Sequence, residues 1–232
     1  MKVIKKGALA VNALILSAVL AVGFVCFFPA TLPASSKEEG VYYVGTAETG
    51  VSLMFNVYEG TEIVEGILDV LKENGVKATF FLGGCWADDN VPTVVRMRDE
   101  GHEIGSHGYF HRDHSQLSYE KNVEEIKASL DFLERVTGER PQLFAPPSGA
   151  YSDETVSASK QLNCRVVMWS KDTVDWRDHD KAVCFRRATE EAKGGDLILM
   201  HPKAHTLQAL PDVLAYYKTQ GLQAITVGEN IG

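Results

Sequence analysis

The chain has 232 residues, 45% of them hydrophobic and 23% charged, with a formal net charge of −8. Those proportions are ordinary for a globular domain and exclude a disordered chain. The acidic balance excludes a basic nucleic-acid surface, so no nucleic-acid partner is expected. Lys2, Lys5 and Lys6 precede an apolar run over residues 8–28, broken only by Asn12 and Ser17. A run of about 20 residues spans a bilayer as a helix, and the leading lysines orient it with the chain beyond it exported. Residues 1–34 therefore read as a transmembrane anchor or a signal helix. The anchor is favoured because no clean small-residue cleavage site follows. Residues 35–40 read as a polar linker, and 41–232 as one exported domain, expected to be monomeric. Cys85, Cys164 and Cys184 show no C-x-x-C spacing, so buried free thiols are expected rather than a zinc knuckle or dithiol site.

In chain order, residues 51–55, 78–82, 102–105, 143–145, 165–169, 197–200 and 223–227 are short apolar runs of strand length. Between them, 61–73, 91–100, 118–137, 152–161, 181–193 and 206–219 carry helical periodicity. In 118–137 the stripe is Val123, Ile126, Leu130, Leu133 and Val136, with Ser118 as N-cap. Strands alternating with helices imply an α/β fold with a parallel sheet, either open or closed into a barrel. No G-x-G-x-x-G follows the first strand, which counts against dinucleotide binding.

Polar or Gly/Pro-rich clusters follow five of the strand runs: FNVYEG at 55–60, SHGYFH at 106–111, APPSG at 145–149, DTVDW at 172–176 and LMHP at 199–202. Parallel β/α folds carry their chemistry at those strand ends. His107 and His111, four residues apart, can present two imidazoles to one metal ion if the segment forms a tight turn or helix. His102 and His114 flank them without that spacing, and His102 reads as structural.

The segment GHEIGSHGYFHRDHSQLS (101–118) resembles the second motif of the polysaccharide deacetylases of carbohydrate esterase family four. KATFFLG (77–83) is similar to that family's second strand, and GDLILMH (195–201) with ALPDVLAYYKTQGLQAI (209–225) to its last motif and closing elements. The resemblance implies a distorted (β/α) barrel of about seven parallel strands. It further implies metal-dependent de-N-acetylation of a cell-envelope glycan, either peptidoglycan or an N-acetylglucosamine polymer. The implied cofactor is a divalent metal, zinc first, with cobalt or nickel as alternatives. By the same resemblance His107 and His111 match metal ligands, His201 the general acid, and Asp175 the carboxylate that orients it. Ser148 matches an oxyanion donor, and Tyr151 and Trp176 fall with it on the substrate side.

The first motif departs from the family pattern F-D-D-G. Aligned on Phe55, the base position holds Asn56 and the ligand position Val57. Aligned on Gly60, Glu59 becomes the third ligand and Tyr58 stands at the base. Neither register supplies a carboxylate base, and asparagine takes up no proton at neutral pH. The family's arginine that braces the base is replaced by Ala145. A sporulation-associated subgroup shares these losses. The alternative to an active enzyme is a glycan-binding or scaffold protein of the envelope or spore wall.

Overall fold

In the computed structural model residues 40–232 are described; the anchor expected over 1–34, and all of the linker except Gly40, lie outside them. Among the described residues no helix is long and apolar enough to cross a membrane.

The strands are β1 (Val41–Tyr42), β2 (Gly50–Val57), β3 (Thr79–Leu82), β4 (Glu103–Ser106), β5 (Leu143–Phe144), β6 (Arg165–Val167), β7 (Lys171–Asp172), β8 (Leu197–Met200) and β9 (Gln223–Ala224). The helices are α1 (Thr61–Glu73), α2 (Gly84–Asp89), α3 (Val91–Asp99), α4 (Tyr119–Thr137), α5 (Asp153–Gln161), α6 (Lys181–Thr189), α7 (Ala204–Thr219) and α8 (Val227–Ile231). Every strand pairing is parallel.

Every residue of β2 is buried, and the strand is flanked by β3 and β8 with β9 at its start. A strand covered on both faces reads as an unbroken apolar run rather than an alternating one. Leu53, Phe55 and Val57 face the outer layer, where Val64, Ile67, Leu68 and Leu71 of α1 and Leu210, Val213 and Tyr217 of α7 pack on them. Met54 faces inward, with Phe81, Leu143, Val167, Leu197 and Leu199. One interior cluster drawn from β2, β3, β5, β6 and β8 means that the sheet curls. On the other flank, α4 and α5 cover β5 and β6 through Ile126, Leu130, Phe144, Ala158 and Val166.

The strand order is β1-β6-β5-β4-β3-β2-β8-β7, with β9 on β2. The strand expected over 165–169 ends at Val167 as β6, paired with β1 and β5, and the chain then bends and pairs with β8 as β7 beyond it. The Ser170 N–H donates to the Leu197 carbonyl at 3.1 Å within that bend. The result is an incomplete parallel barrel whose seam runs along this bent segment. Strands β1 and β7, two residues each, were not expected from the sequence, because two residues carry no periodicity. The expected strand over 223–227 ends at Ala224 and gives way to α8, capped by Thr226 in a capping box with Glu229. Helix α8 seals the barrel at the strand starts. Its Val227 N–H donates to Thr79 Oγ1 at 2.8 Å, and its Gly228 N–H to Glu103 Oε2 at 2.9 Å.

His102 is structural, as its place before β4 suggested. It is buried, and its Nδ1 accepts the Ala78 N–H at 3.2 Å. Burial first, then the Lys77 charge, pushes its pKa down to about 4. The neutral ring belongs to the folded state, so its contribution is fully present above pH 6.5. It is lost as pH falls from 6.5 through 4, where the unfolded chain takes up a proton the fold refuses. The drop is on the order of 3 kcal/mol. Urea titrations between pH 7 and 4 are expected to show a distinctly shallower decline in His102→Gln than in the native chain; equal slopes would contradict the assignment.

Candidate active site

At the strand ends opposite α8 lies a cavity of about 350 Å³ lined by Asn56, Tyr58, His107, His111, Ser148, Trp169, Asp172, Trp176, Leu199 and His201. These residues lie at the ends of, or just after, β2, β4, β5, β6, β7 and β8, so the curled sheet brings together segments as far apart in sequence as 56 and 201. Each arrives there for a local reason.

His107 follows β4 directly and is buried, its Nδ1–H donating to the Ala145 carbonyl at 2.7 Å. A carbonyl only accepts, so the proton sits on Nδ1 and the Nε2 lone pair is left for the cavity. Burial first, then the neighbouring His111, pushes the His107 pKa down to about 3. His111 takes a left-handed backbone (φ 55°) that turns the loop back, putting its ring 5.0 Å from that of His107. Its pKa is also lowered, chiefly by burial.

The loop bearing both histidines is clamped by a polar row on α4 that the sequence reading passed over. Ser129 accepts from Ser106 at 2.9 Å, Glu125 Oε1 accepts the Phe110 N–H at 2.6 Å, and Asn122 Oδ1 accepts from His114 Nδ1 at 2.7 Å. Asn122, Glu125 and Ser129 stand three and four residues apart, a stripe beside the apolar one, and all three are buried. The apolar stripe is correspondingly narrower than expected: Ile126, Leu130 and Leu133 are buried, while Val123 and Val136 are half-exposed. The helical spacing of Asn122, Glu125 and Ser129 alone is visible in the sequence, and it does not tell a buried row from a solvated one. Glu125→Ala strands the Phe110 N–H and is expected to lower unfolding free energy by about 1.5–3 kcal/mol, read by denaturant melts, with Glu125→Gln losing less.

Asp175 and His201 form the second half of the site. Asp175 is fully buried; its Oδ1 accepts from His201 Nδ1 at 2.8 Å, and its Oδ2 from the His201 N–H at 2.8 Å and Thr206 Oγ1 at 2.7 Å. Its carbonyl accepts from His205 Nε2 at 2.8 Å. Burial alone would raise the Asp175 pKa, but the bonds and charge from His201 outweigh it and hold the carboxyl below its usual range. His201 thus carries its proton on Nδ1 and turns Nε2 to the cavity, the arrangement that lets an imidazole accept or deliver a proton there. Val174 and Ser148, on either wall, have φ of 51° and 57°. For a β-branched residue such a φ is strained. Val174 is tied there by its N–H donating to Asp172 Oδ1 at 2.7 Å.

The first-motif half differs. Asn56 points inward like Met54 and is buried, with its Oδ1 lacking any hydrogen-bond partner, while Val57 is buried in the outer core. Tyr58 lies against the His111 ring at 4.2 Å between centroids, and burial first, then the Glu59 charge, raises its pKa. Glu59, expected as third ligand in one register, instead forms an ion pair with Lys203 and is half-exposed. Asn56 and Tyr58 are the first-motif residues that line the cavity, and neither is a carboxylate. Among the described residues no three His, Cys, Asp or Glu side chains are gathered to hold a metal ion. The donor set does not fit the three-ligand centre the resemblance implied. Tyr151 also stands apart from the cavity lining, bonded through its hydroxyl to Tyr43 at 2.6 Å. Trp176 is at the mouth, 50% exposed. Trp169, Asp172 and Leu199 line the cavity although none was singled out in the sequence. Among the described residues the thiols are free; Cys164 and Cys184 are buried as expected, and Cys85, also expected to be buried, is exposed.

A family model of polysaccharide deacetylase matches residues 44–167. The chain is 33% identical over 195 residues to YlxY, an uncharacterized Bacillus subtilis protein, covering 84% of this chain and 61% of that one. It is 30% identical over 191 residues to the peptidoglycan-N-acetylmuramic acid deacetylase PdaA of B. subtilis, covering 80% and 72%. It spans only 38% of B. subtilis PdaC and 42% of Listeria monocytogenes PgdA, two further peptidoglycan deacetylases. Among solved structures it is similar to BA3943 of Bacillus anthracis, described as a pseudoenzyme of carbohydrate esterase family four, with a TM-score of 0.80 and 32% identity over 83% of this chain and 69% of that one. A mutant of BA3943 with restored enzymatic activity matches with the same TM-score at 30% identity, covering 83% and 71%. A match over more than half the chain, on a parallel barrel with these strand-end motifs, shows that the chain belongs to the polysaccharide deacetylase family.

Proposed function

We propose that this protein is an exported, membrane-tethered glycan-binding domain of the cell envelope, built on a deacetylase barrel whose hydrolytic centre is impaired. The observation that carries the reading is the unequal cavity. The His201–Asp175 pair and the tryptophan walls are intact, while Asn56 lines the cavity with His107 and His111 without supplying a carboxylate and Glu59 is held by Lys203. Loss of a general base costs on the order of 10²–10⁴ in rate, and two imidazoles with no third ligand gathered to them among the described residues hold zinc, cobalt or nickel weakly. What remains is a concave, aromatic-walled site suited to a sugar. PdaA, PdaC and PgdA are named as peptidoglycan deacetylases, which supports a cell-wall glycan as the ligand, and the N-terminal apolar run supports the membrane side of the reading.

Calorimetric titration of the full chain with N-acetylglucosamine oligomers tests it, alongside an acetate-release assay. Binding is expected to survive His201→Ala and to weaken at least tenfold in Trp176→Ala, with acetate release no greater than that of His201→Ala. Acetate release that His201→Ala abolishes would overturn the proposal in favour of an active hydrolase.

A further inference from the structure

We infer that Tyr58 is a positioning residue that orders this cavity in place of a metal ion, its ring holding the His111 imidazole where a shared cation would otherwise fix it. The inference rests on the geometry of the cavity and not on which glycan enters it.

The two histidines of the loop after β4 are held in different ways. His107 is buried, and its Nδ1–H is tied to the Ala145 carbonyl at 2.7 Å. The direction of that ring is therefore set by the neighbouring strand. His111 is half-buried, and among the described residues its ring hydrogen-bonds only within its own residue. Such a bond ties the ring to no other element. What meets it from outside is the Tyr58 ring, tilted by 44° with centroids 4.2 Å apart. Tilted aromatic pairs attract beyond the area they bury. The same Tyr58 ring lies 6.3 Å from that of His107 and 6.5 Å from that of His201, so one phenol neighbours all three imidazoles of the cavity.

Tyr58 can act as a brace because its backbone is pinned on both sides. The Val57 carbonyl before it accepts the Gly83 N–H at 2.8 Å. Glu59 after it pairs with Lys203, whose N–H donates to the His201 carbonyl at 2.8 Å. Gly60 then lies so close to Pro202 that a Cβ would stand 2.8 Å from its carbonyl oxygen, at a φ of 79° that suits glycine. The ion pair that keeps Glu59 from the histidines is thus one of the ties on the Tyr58 segment. Histidines that share a cation are fixed by its coordination geometry. Here no third ligand is gathered among the described residues, and the ordering falls to packing. A ring ordered in advance reduces the entropy lost when a ligand binds.

The test is NMR relaxation on the full chain in detergent, with ¹³C confined to the histidine rings and the His111 signal identified by His111→Gln. In the native chain the His111 ring is expected to be rigid, with an order parameter above about 0.8 that EDTA leaves unchanged. Tyr58→Ala, and Tyr58→Leu in case alanine does not fold, are expected to bring it below about 0.6 while the His107 ring stays rigid. Tyr58→Phe keeps the ring contact and is expected to match the native value. A His111 ring that stays rigid in a folded alanine or leucine variant would overturn the inference. So would a ring that is mobile in the native chain, or one that EDTA loosens, since a metal would then be the brace. Failure here leaves glycan binding standing, because the calorimetric titration decides that separately.

Discussion

Asn56→Asp is expected to turn the cavity hydrolytic, raising acetate release from N-acetylglucosamine oligomers by on the order of 10²–10⁴ over the native chain when zinc or cobalt is added. The position is already correct: residue 56 faces inward at the end of β2, in a cavity with His107, His111 and His201. The histidine loop is held by α4, and His107 Nε2 is free because Nδ1 is spent on Ala145. The base position lacks a carboxylate, and the substitution exchanges a neutral amide for one of the same shape. The carboxylate also favours a bound cation between the imidazoles, so zinc affinity is expected to rise at least tenfold, measured by metal competition. The expectation has a parallel in the BA3943 mutant described as a pseudoenzyme with restored activity. A folded Asn56→Asp chain with neither gain would show that the losses at Val57 and Ala145 also have to be repaired.

Asp175→Ala is expected to be the most destabilising single change at the site, by about 3–5 kcal/mol. Asp175 is a fully buried carboxylate accepting three hydrogen bonds from His201 and Thr206. Alanine strands all three donors and opens a void beside them. Roughly 2–4 °C is lost per kcal/mol in a domain of this size, so the melting temperature is expected to fall by about 10 °C or more. Asp175→Asn keeps one acceptor and is expected to fall between. Because the Asp175 carboxyl is held below its usual range, its contribution is present above that range and is lost as pH falls from it through the lowered folded-state pKa. The gap between native and Asp175→Asn stabilities is therefore expected to narrow in acid. A loss under 1 kcal/mol for alanine would mean that His201 and Thr206 find other acceptors.

Long periodic elements were the legible part of this fold. Helix α1 occupies the residues its stripe indicated, and α4 differs by one at its start, because their apolar faces and caps act locally. Strand β8 likewise matches its apolar run. What the sequence concealed depends on distant partners. Strands β1 and β7 exist only because β6 and β8 offer them ladders, and α2 begins at a glycine whose side-chain position is filled by Tyr109. In the site, His107 and His111 announced themselves by type and spacing, while His201 and Asp175 were legible only through the resemblance to the family's later motifs. Glu59 misled, since a carboxylate near a metal motif looks like a ligand until Lys203, 144 residues away, is seen to hold it. Asn122, Glu125 and Ser129 were hidden for the opposite reason: polar residues beside an apolar stripe read as solvated until a loop is found bonded to them.

The bent run from β6 to β7 has a mechanical consequence. It carries Trp169 and Asp172, one wall of the cavity, on ladders of two and three residues. The facing wall rises from β2, eight residues long and bonded on both sides. Opening free energy follows ladder length and burial. Deuterium should therefore enter the amides of 168–172 well before those of 52–57. The site is a vice with one fixed jaw and one sprung jaw. Strain from a bulky or branched polymer is taken up on the tryptophan side, while Asn56, on the fixed jaw, keeps its aim.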